Sequence, residues 1–263
     1  MMAEQSLSER RACKLLEMDR SSYRYEPQTD QDGKVRAELV ELARQKPRFG
    51  YRRLGVLLEK RGHKLNHKRL YRIYREEHLA VRRLKRKHVV RPVTPLANLS
   101  KANQEWSMDF VADGLATGRA LRIFTLVDSF TRECLALEVD SCLSSGRITR
   151  VLDWVMEQRG APEAIRCDNG PEFTSRHFLA WCEEHHIRPV HIQPGRPMQN
   201  GYVESFNGRF RDECLNANWF QTMNDARQKI ESWRQEYNHE RPHSSLGYRP
   251  PQEFADQLRK LSA

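Results

Sequence analysis

The sequence predicts an α/β protein: a mixed five-stranded sheet with flanking helices, preceded by an all-α helix-turn-helix domain. Three observations carry this expectation. The second half opens with segments that alternate apolar and polar residues and continues with segments of helical period. Ahead of it, positions 46–91 hold 17 Lys and Arg against three Glu, a net of +14 in a chain whose total is +10. A Pro-containing stretch separates the two regions. At 263 residues, 38% of them hydrophobic, the chain can form one large core and one or two small modules. A basic module joined to a slightly acidic remainder implies that one part finds a polyanion and the other acts on it.

Positions 5–25 show one short amphipathic pattern with Leu7, Ala12, Leu15 and Leu16 on its inward side. PQTDQDG at 27–33 reads as a linker, so 1–33 is a partial helical segment and its tether. The helix-turn-helix domain is placed at 34–92. Its first helix, 35–45, turns Val35, Leu39, Val40 and Leu42 inward and is stopped by KPRFG. The second, 51–61, carries Tyr51, Leu54, Leu57 and Leu58 and ends at Gly62. Asn66 is a good N-cap for the third, whose core side is Leu70, Ile73 and Tyr74. The other face of that helix presents Lys68, Arg69, Arg72 and Arg75 as a cationic stripe, the pattern of a recognition helix entering a major groove. Arg82, Arg83, Lys85, Arg86 and Lys87 follow in a basic run suited to DNA phosphates. Positions 93–104 are the linker.

The region 105–217 changes character. Strands at 105–113, 121–130 and 134–141 suggest an antiparallel meander. A helix at 144–160 has Ile148, Val151, Leu152 and Val155 on one side and Gly160 at its end. A strand at 164–170, a helix at 175–187, a strand at 188–192 and a Gly- and Pro-rich loop at 194–201 lead to a helix within 199–216. The remainder, 218–263, is a helical extension (223–238) and a tail whose start, YNHERPHSSLGYRPPQEF, reads as extended and polar.

Three acids stand out. Asp109 lies inside an alternating strand (WSMDF), Asp168 at a strand end (CDNGPEF), and Glu204 on the helix of QNGYVESFNGRFRDECLN. On that helix Val203, Phe206, Phe210 and Cys214 form the apolar stripe, and Glu204, Asn207, Gly208 and Arg211 lie about a quarter turn from it. Singly, Asp168 suits a turn and Glu204 a helix surface; Asp109, among apolar strand neighbours, requires a partner. Together, carboxylates from two strands and a helix can converge on a pair of hard cations, with Asp109 shared and Asp168 and Glu204 holding one ion each. Mg²⁺ prefers such oxygen ligands, and two ions of this kind serve both phosphodiester cleavage and strand joining. No activated Ser, Tyr or Cys nucleophile is evident.

The three acids, with 35 residues between the second and third, the flanks WSMDF, CDNGPEF and GRPMQNGYVESFNGRFRDECLN, and the tail YNHERPHSSLGYRPP resemble the DDE transposases of insertion sequences. The closest group is the IS-three family, in particular the OrfB half of its two-frame transposase, and the resemblance extends from RFGYRRL onward. It implies an RNase H-like catalytic core related to retroviral integrases. It also implies two Mg²⁺ ions, with Mn²⁺ as a substitute, on Asp109, Asp168 and Glu204. Arg211, seven residues past the acid, stands where the family has a Lys or Arg contacting the DNA end. The implied partners are double-stranded DNA (the terminal repeats and the target) and further copies of the chain on that DNA. Family members usually act as a fusion with an upstream portion bearing a leucine zipper. No zipper heptads occur here, so an upstream-frame partner or fusion is expected.

Composition narrows the remainder. No run approaches the 18 apolar residues of a spanning helix, the N-terminal stretch lacks a secretory pattern, and no membrane role is expected. Six cysteines without a C-x-x-C pair fit a reducing cytosol, and the resemblance to insertion-sequence transposases implies that of a bacterium, with the protein on the nucleoid. His185, His186 and His191 near Cys182 lack zinc-ligand spacing. Two other functions fit the same residues: a structure-selective nuclease that cuts without joining, and a DNA-binding regulator with a decayed catalytic domain.

Overall fold

The computed structural model describes residues 8–25, 32–81, 99–193 and 197–262. Two short helices, α1 (Glu9–Leu15) and α2 (Arg20–Tyr23), are tied by Glu9, which accepts from Arg20 and Arg24, each at 2.9 Å. The expected inward face of this segment is corrected. Ala12 and Cys13 are buried, whereas Leu15 and Leu16 are 64% and 56% exposed, because α1 ends at Leu15 and packs only through its small residues. Leu7 lies outside the described residues.

Helices α3 (Gly33–Gln45), α4 (Tyr51–Lys60) and α5 (His67–Glu76) enclose one core built on Leu39, Leu54, Leu58, Leu70 and Ile73, joined by Phe49 from the stop sequence KPRFG. Asn66 caps α5 through its side chain, which accepts from the Lys68 N–H at 2.9 Å. Gly55 allows α4 to approach α5 closely: a Cβ there would lie 2.5 Å from Leu70 Cδ2, and the buried Leu70 would have to shift. Asp32, assigned by sequence to the linker, is instead buried and bonded to Arg69 and Arg72 of α5.

Strands β1 (Trp106–Gly114), β2 (Ala120–Asp128) and β3 (Cys134–Asp140) form the expected antiparallel meander. After α6 (Ser145–Arg159), β4 (Ala164–Cys167) pairs parallel to β1; after α7 (Arg176–Glu184), β5 (Arg188–His191) pairs parallel to β4. The order β3-β2-β1-β4-β5 makes β1 central. Alternation along β1 sends Trp106 and Met108 into a core shared with Leu152 of α6 and Phe178 of α7. Val111, on the opposite face, joins Val203 and Phe206 of α8 (Gly201–Glu213) and Trp233 of α9 (Met223–His239). Burial on both faces is why the strands are so apolar, and why an acid at position 109 stands out.

Two buried ion pairs brace the sheet. Glu105 accepts from Arg166 at 3.0 and 2.7 Å, and Glu133 from Arg159 at 2.7 and 2.6 Å. The expected extended, polar tail is also corrected. Arg241 and Leu246 are buried, His243 and Arg249 form an antiparallel bridge around a turn at Gly247, and α10 (Pro251–Ser262) follows. Packing supplies what local pattern lacks: the Arg241 guanidinium is held by Glu213 and flanked by aromatic rings. The helical unit meets the core at this place through Lys46–Glu236 and Arg53–Glu213 ion pairs. Among the described residues no helix is long and apolar enough to cross a membrane.

Candidate active site

Asp109 sits on the α8 face of β1, half-buried. Its Oδ2 accepts from Asn207 Nδ2 at 2.9 Å, and its Oδ1 from the Phe110 N–H at 2.7 Å. Asn207 is one turn beyond Glu204, so α8 brings its Glu204 edge to this strand. Burial pushes the Asp109 carboxyl up to about 6; the charges of Asp168 and Glu204 add to that, and the hydrogen bonds from Phe110 and Asn207 oppose it.

Asp168 reaches the same place by strand register. β4 pairs Ile165 with Trp106 and Arg166 with Ser107, and the same offset carried two residues further sets Asp168 beside Asp109. Its Oδ1 accepts from the Gly170 N–H at 3.0 Å, which makes a tight turn directly after the strand. A Cβ at Gly170 would lie 3.0 Å from that oxygen and 3.4 Å from Glu172 Oε2, so a larger residue there would press on both carboxylates by a few tenths of an ångström. Glu172 is ion-paired with Arg122 of β2, whose guanidinium lies 3.8 Å from the centre of the Phe110 ring. Phe110 in turn stacks on the buried Phe173 at 5.1 Å. That latch holds the loop bearing Asp168 against the sheet. Sequence reading missed it, because its partners come from three separate segments.

Glu204 occupies the first turn of α8 and is exposed; partial burial raises its carboxyl. Asp168 and Glu204 thus both lie within electrostatic range of Asp109. Among the described residues no three His, Cys, Asp or Glu side chains are grouped closely enough to hold a metal ion as they stand. A set of this openness suits an ion that keeps several waters and takes one or two carboxylates per site. Asn207 Oδ1 is buried beside Asp109 without a hydrogen-bond partner, a further hard oxygen.

Arg211 lies on the same edge of α8, exposed, and its Nη2 donates to the Ala112 carbonyl of β1 at 2.7 Å. Lys68, Arg69, Arg72 and Arg75 are all exposed on α5. Two of them are already partnered: Asp32 holds Arg69 at 2.5 Å and Arg72 at 2.6 Å, and Arg72 also meets Glu76 at 2.9 Å. The Arg69 and Arg72 guanidiniums keep the Asp32 carboxyl below the usual carboxylate range. Arg82, Arg83, Lys85, Arg86 and Lys87 lie outside the described residues.

Comparison with known proteins accounts for this arrangement. A family model described as Integrase core domain matches residues 100–197, a second with the same description matches 185–251, and one described as HTH-like domain matches 31–88. The 39.2 kDa uncharacterized protein of insertion element IS476 from Xanthomonas euvesicatoria is 48% identical over 267 residues, spanning 100% of this chain and 77% of that one. The 31.7 kDa uncharacterized protein of insertion element IS407 from Burkholderia multivorans is 49% identical over 252 residues, 95% of this chain and 91% of its own. In fold, the chain is similar to one in the intasome of simian T-cell lymphotropic virus in complex with PP2A regulatory subunit B56 gamma. The TM-score there is 0.53 at 18% identity, covering 82% of this chain and 74% of the other. With relatives of nearly half identity over almost its whole length, and an integrase core behind an HTH-like domain, the chain belongs to the DDE transposases of the IS-three insertion-sequence family, as their OrfB half.

Proposed function

We propose that this chain cleaves DNA strands at the ends of an insertion sequence and joins them to a target, with Asp109, Asp168 and Glu204 holding two divalent ions, Mg²⁺ or, as a substitute, Mn²⁺. The observation that carries the reading is the Asp109 carboxylate. It is half-buried in the central strand and faces two more acids, and burial with their charges pushes it up to about 6. Like-charged hard oxygens, with the orphaned Asn207 Oδ1 beside Asp109, are the donor set that a hard cation takes. When bound, such ions polarise the attacking and leaving oxygens of a phosphodiester exchange. The protein's own part is positional: Asn207 and the Phe110 N–H orient Asp109, the Gly170 turn orients Asp168, and α8 carries Glu204.

DNA is then engaged by the helical unit at 34–92, through Lys68, Arg69, Arg72 and Arg75 and the basic run from Arg82 to Lys87, joined by a linker at 93–104 to the core at 105–217. The extension at 218–263 packs between them. The active form is an oligomer on DNA, acting with or fused to an upstream-frame product, on the bacterial nucleoid. The test is incubation of the full chain, with and without that product, on duplexes ending in the terminal repeats that flank its gene. Strand joining in Mg²⁺ supports the reading. Cleavage that never yields a joined strand favours a nuclease instead, and binding with neither step favours a regulator.

Arg211 is assigned to a phosphate of the DNA end. Seven residues place it two turns from Glu204, about 10 Å along the helix, too far to share a metal. Arg211→Ala is therefore expected to weaken productive engagement of the DNA end by about 1–3 kcal/mol, the worth of one charge-assisted contact, with the Mg²⁺ midpoint unchanged. A metal titration at subsaturating DNA decides it. A shifted midpoint would place the side chain in the metal site.

A further inference from the structure

The opposite side of α8 carries a different charge pattern. Arg209 is five residues past Glu204, about 140° around the helix, and so faces away from the acids. Its guanidinium donates to the Ser205 carbonyl at 2.5 Å and also bonds the Ser205 hydroxyl. Near it is Arg241, from the YNHERPHSSLGYRPP tail, 1% exposed and gripped by Glu213 at 2.6 Å through both Nε and Nη2. The guanidinium carbon of Arg241 lies 5.7 Å from the Phe49 ring and 5.5 Å from the Tyr237 ring. Arg53 of α4 reaches Glu213 at 3.6 Å. Arg132, between β2 and β3, lies over the Tyr202 ring at 3.8 Å.

All four guanidiniums act on His243, whose Nδ1 meets the Ser245 hydroxyl at 2.9 Å. Burial, and then these cations, push His243 down to about 3, so it stays neutral. The arginines also oppose one another: burial lowers Arg53 to about 10 and lowers Arg209, and Arg241 depresses both further. Glu213 is the carboxylate in contact with the group, while Glu236, which also acts on Arg241, is ion-paired with Lys46. Arg132 Nη1 and Arg241 Nη1 are buried with no hydrogen-bond partner. Like charges gathered in a partly desolvated junction, with donors unfilled, are costly unless an anion joins them. Planar guanidinium forks are matched above all to the oxygens of a phosphate.

We propose that the part-exposed Arg53, Arg132 and Arg209, with the buried Arg241 behind them, bind a backbone phosphate of duplex DNA at the junction between the helical unit and the integrase core, on the side of α8 remote from the acids. This rests on the transposase reading and adds a DNA contact to it. Duplex DNA is the source favoured here because α4, which supplies Arg53, packs against the basic helix α5, and α8, which supplies Arg209, also carries Glu204. A phosphate held at the junction therefore clamps the DNA-binding unit to the helix that completes the active site. It also assigns a role to the tail motif.

The test uses the full chain with Arg132→Gln and Arg209→Gln, singly and together, since neither residue is in an ion pair among the described contacts. The double variant is expected to bind duplex DNA about tenfold more weakly at 0.15 M salt, roughly one charge-assisted contact. Its log K against log salt slope should be shallower by about 0.9, the signature of one lost phosphate. Arg209→Lys should keep most of that slope. DNA-free melting of the Gln variants should be no lower than wild type, because one of four repelling charges is gone in each single variant and two in the double. An unchanged slope alongside wild-type binding and joining overturns this proposal alone; melting lowered in the absence of DNA also overturns it, making the arginines structural. Stabilisation by inorganic phosphate that the variants lose, with the DNA slope unchanged, reassigns the site to free phosphate and overturns the DNA contact. A wild-type chain that binds no duplex overturns both this proposal and the transposase reading beneath it.

Discussion

Asp168→Asn is expected to abolish strand cleavage and strand joining together while leaving duplex binding at the wild-type level. The substitution keeps the local fold, because an Asn Oδ1 can accept the same 3.0 Å bond from the Gly170 N–H that fixes the turn after β4. It removes only the negative charge that the register of β4 against β1 sets beside Asp109. Loss of one group that stabilises transition-state charge typically costs on the order of a hundredfold or more in rate. The measurement is the yield of nicked and joined product on terminal-repeat duplexes in Mg²⁺, with a gel-shift titration as the binding control. If joining proceeds near the wild-type rate, Asp168 does not belong to the site. If binding falls in parallel, its role is structural.

The second large effect concerns stability. Arg159→Met leaves Glu133, whose side chain is 1% exposed, without its bidentate partner at the edge of the sheet. Thr131 Oγ1 still donates to Glu133 at 2.7 Å, but one hydroxyl does not offset a buried carboxylate. Breaking such a pair from one side costs about 3–5 kcal/mol, far more than the pair contributes over an apolar replacement. Urea unfolding of the single variant should show that loss, and adding Glu133→Gln should recover much of it by removing the stranded charge. A loss below about 1 kcal/mol would mean the pair behaves as a surface contact, open to water.

The fold was legible because its signals are local. Period-two alternation in β1 to β3, the Asn66 cap, and the apolar stripe of Val203, Phe206 and Phe210 each arise within one element. The candidate acids were legible for a related reason: an Asp among buried strand residues is costly wherever the strand ends up, so position 109 signals itself. What was misread depended on partners distant in sequence. Leu15 and Leu16 have the spacing of a buried face, but α1 is too short to bury it. Asp32 looks like linker until α5 brings Arg69 and Arg72 to it. The tail reads as polar and extended because Arg241 carries a charge, and only contact with Glu213, Phe49 and Tyr237 makes that charge tolerable inside.

By itself, then, the sequence determined the class of the protein, the type and order of its strands and helices, the basic module ahead of them, and three carboxylates with the flanks of an insertion-sequence transposase. These follow from periodicity, composition and local chemistry, which need no knowledge of what meets what. Only the tertiary structure decided that Asn207 partners Asp109, that Arg122 and Glu172 latch the loop bearing Asp168, and that four arginines from both units share one junction. Each of those depends on contacts across tens to hundreds of residues. Along the chain such contacts leave no periodic trace, because a side chain's partner is set by how the elements pack and not by its own neighbours.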